Sequence, residues 1–85
     1  MNLSTNRKAL IYQKFRNPEE NPLDIELHFW VVEAEDNETA LNIAKKSPYV
    51  PWHMYLVDII DFAKINNWAE RNHIPVEDMI HHVLK

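Results

Sequence analysis

Residues 8–16 read KALIYQKFR and residues 24–34 read DIELHFWVVEA, and the relation between these two stretches decides the fold. Both are rich in β-branched and aromatic residues, and they flank NPEENPL, which contains two Asn-Pro steps. Such a pair predicts a β-hairpin. A tight two-residue turn is discouraged without glycine, so the expected connection is a long, proline-stiffened loop. If paired residues sum to about 40, one face carries Phe15 with Ile25, Ile11 with Phe29, and Ala9 with Val31. The opposite face then carries Arg16 with Asp24, Lys14 with Glu26, Tyr12 with His28, and Leu10 with Trp30. One apolar face and one charge-matched face emerge together, as cross-strand pairing favours. Phe15, Ile11 and Phe29 are therefore expected in the core.

Residues 36–47, DNETALNIAKKS, carry the signals of a helix. Asp36 or Asn37 can accept from the orphan amide hydrogens, Glu38 complements the N-terminal dipole, and Lys45 and Lys46 suit the C-terminal end. Ala40, Leu41, Ile43 and Ala44 form its apolar stripe, and Pro48 stops it. SPYVPWH (47–53) is a connector with two prolines.

Residues 54–60, MYLVDII, form an apolar run of strand length, interrupted by Asp58 and expected as a third strand buried on both faces. From Asp61 onward Phe62, Ile65, Trp68 and Ala69 share one helical face, opposed by Lys64, Asn67, Glu70 and Arg71. The alternative is one long helix over 53–71, whose apolar positions would spread around the whole circle. In the last segment Pro75 stands at a first-turn position followed by Glu77 and Asp78. Val76, Met79, Ile80 and Val83 then have i, i+3, i+4, i+7 spacing, which predicts a final helix. The expected architecture is an α+β domain of two layers, in the order β-β-α-β-α-α.

Composition bounds the function. Eighty-five residues make a single domain, 1–85, with the polar residues 1–6 expected to be loose. The hydrophobic fraction is 46%, enough for a folded core. The chain has no cysteine, which removes disulfides, thiolate ligands and cysteine nucleophiles; a cytoplasmic location is expected. It also has no glycine, so neither a P-loop nor a dinucleotide fingerprint can be built, and no nucleotide cofactor is expected. A net charge of −4 disfavours direct nucleic-acid binding. No run of residues approaches the length needed to span a bilayer, and no signal peptide is read.

Candidate chemistry is sparse. Of five histidines, His81 and His82 are adjacent, and no HxxxH or HExxH pair exists, so no tight metal site is expected. Asp58 and Asp61 are the nearest approach to a carboxylate pair, but on a strand they point to opposite faces, and Asp61 suits a helix N-cap. Glu33, Glu35, Asp36 and Glu38 form an acidic cluster that could dock a basic surface or simply lead into a helix start. The surplus aromatics carry more information. Tyr12, Trp30 and Val32 on the charged hairpin face, with Tyr49 and Trp52 on the connector, have the make-up of an interface. The expected function is a non-enzymatic protein-interaction module, an accessory, regulatory or inhibitory subunit that binds another protein or a second copy of itself. The alternative is a small metal-dependent or hydrolytic enzyme using His28, His53 and Asp58.

Overall fold

The computed structural model describes residues 7–17, 19–50 and 54–84. Residues 1–6, expected to be loose, and two candidate residues, Trp52 and His53, lie outside the described residues.

Strand β1 (Arg7–Asn17) and strand β2 (Asn21–Glu33) form the hairpin. Its register is the one the charge pattern predicts: Phe15 pairs with Ile25, Ile11 with Phe29, Lys14 with Glu26 and Leu10 with Trp30. The connection is shorter than expected. A register shift between Phe15 and Asn17 lets Asn17 pair with Asn21, so both strands run on into the proline-containing stretch. A short loop combined with an irregularity of this kind closes a hairpin without the mirror-image turns that need glycine.

Helix α1 (Asn37–Lys46) follows, capped by Asp36, whose carboxylate accepts from the Thr39 amide at 2.7 Å. Strand β3 (Tyr55–Asp61) pairs antiparallel with β1. A 3-10 turn (Phe62–Lys64) leads into helix α2 (Ile65–Arg71), which buries Ile65, Trp68 and Ala69 as its periodicity predicts.

The end of the chain departs from expectation. Residues 75–84 do not form a helix. A single 3-10 turn, Val76–Asp78, is followed by strand β4 (Ile80–Val83), which pairs parallel with β2. The order is therefore β-β-α-β-α-β with 3-10 turns on either side of α2, in place of β-β-α-β-α-α. Strand pairing decides between the two periodicities. As a strand, the adjacent histidines alternate faces: His81 stacks on Phe29 with centroids 4.6 Å apart, and His82 on Trp30 at 4.2 Å. A helix would have placed Ile80 and Val83 in an apolar stripe; here both are exposed.

The four strands stand in the order β3-β1-β2-β4. The connection from β2 to β3 carries α1 over one face of this sheet, and the connection from β3 to β4 carries α2 over the other. Two cores result, so the domain has three layers rather than two. On the α2 face Ala9, Ile11, Phe29 and Val31 meet Ile65, Trp68, Ala69 and Met79. On the α1 face Leu10, Tyr12, Trp30 and Val32 meet Ala34, Ala40 and Ala44. The run 54–60 is also corrected: β3 is an edge strand, and Tyr55 to Asp58 are exposed rather than buried on both faces.

Candidate functional site

The site arises from a mismatch of lengths. A strand advances about 3.3 Å per residue and a helix about 1.5 Å, so the hairpin strands of 11 and 13 residues outrun α1 and α2, with 10 and 7 residues. The α2-face core ends near Leu27. Beyond it the same sheet face continues with no helix over it among the described residues. Phe15 pairs with Ile25 across the hairpin and meets Tyr55 of β3 edge to face, with centroids 5.8 Å apart.

A bulge in β3 places that tyrosine. Ile11 pairs with Asp58 and Tyr12 with Leu56, leaving Val57 as the extra residue. Paired residues share a face, so this single insertion moves Tyr55 onto the side of Phe15. Large apolar side chains of this part of the hairpin and of β3 are exposed, among them Leu23 at 85%, Tyr55 at 60%, Val57 at 45% and Ile25 at 39%. Of these, Ile25 and Val57 border a cleft of about 600 Å³ that Leu27, Trp68 and Ile74 extend inward, and Gln13, Arg16, Glu26, Asn72 and Asp78 supply its polar lining. Trp68 is held by Asp58, which accepts from the indole Nε1 at 3.0 Å and from the Ile59 amide at 2.8 Å.

The hairpin end also carries a charged group, of which Arg16 and Glu26 reach the cleft. Arg16 pairs with Asp24 at 3.3 Å and with Glu26 at 3.2 Å. Glu26 in turn meets His28 Nε2 at 2.5 Å, and His28 Nδ1 lies 2.9 Å from His82 Nε2. A carboxylate only accepts, so His28 donates from Nε2; a neutral His28 then accepts from the Nε2 hydrogen of His82. The two imidazole planes lie within 5° of each other, an arrangement compatible with an in-plane hydrogen bond, and Trp30 stacks on both rings. Contact with His28 and then Arg16 holds the Glu26 carboxyl below the usual glutamate range. Burial, followed by neighbouring His28 and His81, lowers His82.

The expected interface residues fall elsewhere. Tyr12, Trp30 and Val32 are buried beneath α1, Trp30 with only 3% of its surface exposed. Their expected exposure on a free sheet face is thus corrected, because α1 crosses that face. Tyr49 is exposed and borders a second opening with His82, Val83 and Leu84. Glu33, Glu35, Asp36 and Glu38 are all exposed, with Asp36 engaged as the α1 cap. His28 is buried rather than on a solvent face. It lies on the α1 face and Asp58 on the α2 face, so the trio of His28, His53 and Asp58 is not assembled from these two. Asp61 stands at the N-cap position but makes no capping bond; it pairs with Lys8 and, at 4.0 Å, with Lys64. Among the described residues no group of three or more His, Asp or Glu side chains is arranged to hold a metal ion, and no helix is long and apolar enough to cross a membrane.

Searches against protein-family models, curated proteins and solved structures find no match. The site is read from its own chemistry.

The sequence reading missed this surface because it counted Phe15 and Ile25 as core and treated 54–60 as a central strand. One signal was available: strands that long cannot be covered by helices that short.

Proposed function

We propose that this chain is a non-enzymatic protein-interaction module, an accessory or regulatory subunit that docks its partner on the helix-free end of the α2 face. The observation that supports this reading is the exposure of Ile25 and Val57 on one cleft, with exposed Tyr55 against Phe15, the cross-strand neighbour of Ile25. A small domain gains by burying such a patch, and an apolar centre with a polar surround is the composition of a docking surface. Gln13, Arg16, Asn72 and Asp78 provide the polar part. A cytoplasmic setting belongs to the proposal, since a cysteine-free chain gains nothing from an oxidising compartment.

Tyr55→Asp and Val57→Asp test the reading. Wild-type protein immobilised in native lysate is expected to retain a partner that both variants lose, while all three remain folded by circular dichroism. Equal retention by wild type and variants would remove the docking surface from this end of the molecule.

A further inference from the structure

We infer that the partner presents an extended, apolar and basic segment that adds to the outer edge of β3; this inference rests on the docking reading above. Among the described residues strand β3 stands at the margin of the sheet and pairs through one side only, with β1. Its outer side offers a row of backbone donors and acceptors to another chain. At seven residues it is the longer of the two edge strands, β4 having four.

Edge strands are commonly protected by lysine or proline. This one, YLVDIID, contains neither. Its bulge does not end the pairing: it turns Tyr55 towards the docking surface, with Val57 beside the cleft. A strand added at this edge would set alternate side chains about 5 Å from those of β3, continuing the apolar surface without a gap. Backbone pairing would then supply affinity and the Tyr55–Val57 surface selectivity, the division of labour seen in β-strand addition.

Charge selects the occupant. Exposed Glu19, Glu20, Asp58 and Asp78 lie around this end, while Arg16 is already matched by Asp24 and Glu26. Two copies joined through β3 would bring together two strands whose only charged residues are acidic, which like-charge repulsion opposes. A segment alternating apolar residues with lysine or arginine meets both the apolar surface and the acidic surround.

The test is selection of peptides from a random display library on the intact chain, followed by titration of the synthetic winners. Enriched sequences are expected to alternate apolar and basic residues, with affinity falling as salt is raised. Methylating the peptide backbone nitrogens one by one is expected to block binding at every second position, the signature of strand pairing. Tyr55→Asp should weaken binding by about tenfold or more. Asp58→Asn, which keeps one oxygen to accept from Trp68 but loses the acceptor for the Ile59 amide, should weaken it by about threefold while the variant remains folded by circular dichroism. Acidic or neutral winners, indifference to backbone methylation, or no winner at all would overturn the inference. A dimer in light scattering that Val57→Asp dissolves would overturn it in favour of a second copy. Winners unaffected by both Tyr55→Asp and Val57→Asp would instead overturn the docking reading itself.

Discussion

At the residue scale, the absence of glycine has a visible consequence at the end of α2. His73 takes φ 58°, in the left-handed region. The Ile74 amide donates to the Ala69 carbonyl at 3.0 Å and the His73 amide to Glu70 at 3.2 Å, the paired bonds of a helix end whose next residue is usually glycine. A side chain there costs about 1 kcal/mol or more. His73→Gly should therefore raise stability, by somewhat under about 1 kcal/mol once the greater freedom of the unfolded glycine is subtracted. The denaturant midpoint should rise at unchanged slope; His73→Val, with a branched side chain, should lower it.

At the scale of elements, β4 is a four-residue strand joined to β2 through backbone pairing and two ring stacks. Between the same strands runs the Glu26–His28–His82 chain of hydrogen bonds. The folded state holds His82 below its ordinary value of 6.5, chiefly by burial. The unfolded chain therefore binds more protons there, and stability is lost as pH falls from about 6.5. Glu26, held below 4.5 chiefly by His28, acts with the same sign at lower pH. A urea midpoint that falls between about pH 7.5 and pH 5.5 is expected, with β4 amides exchanging first, and His82→Gln should flatten that step. Helix α1 makes a separate prediction. Its buried contacts are Ala40 and Ala44 above Trp30. Trp30→Ala should cost about 3–5 kcal/mol, the loss of a core aromatic, in equilibrium unfolding.

At the scale of the whole molecule, the domain extends 50 Å along its longest axis and 17 Å along its shortest. Among the described residues the helices cover one end of the hairpin on both faces, and the other end carries no helix. Stability and docking should accordingly separate along the long axis. Tyr55→Asp, on an exposed side chain, should change unfolding free energy by less than about 0.5 kcal/mol. Phe29→Ala, on the same face but within the core, should cost about 3–5 kcal/mol. The same denaturant titration on both variants checks the division; equal losses would show that the helix-free end is part of the cooperative core.

Some of this was legible in the residues themselves. The hairpin register follows from opposite charges and apolar pairs that must meet across two strands, as Lys14 with Glu26 and Ile11 with Phe29; at Arg16 and Asp24 the register breaks, although the two still form an ion pair. Helix α1 follows from Asp36, Glu38, Lys45 and Lys46, since caps and dipole partners act within one turn. The buried face of α2 follows from the 3.6-residue period of Ile65, Trp68 and Ala69. The last segment and the covering of the sheet did not follow. Val76, Met79, Ile80 and Val83 fit a helical stripe as well as residues 80–83 fit a strand, and what separates them is the open side of β2 with Phe29 and Trp30 beside it. Those rings lie some fifty residues away in sequence, so no local pattern records them. Likewise Trp30 has the composition of an interface residue until α1 is laid across it, and Tyr55 that of a core residue until β3 is found at the edge. Local pairing and capping determine which elements form; only the route of the two connections over opposite faces decides which side chains remain exposed.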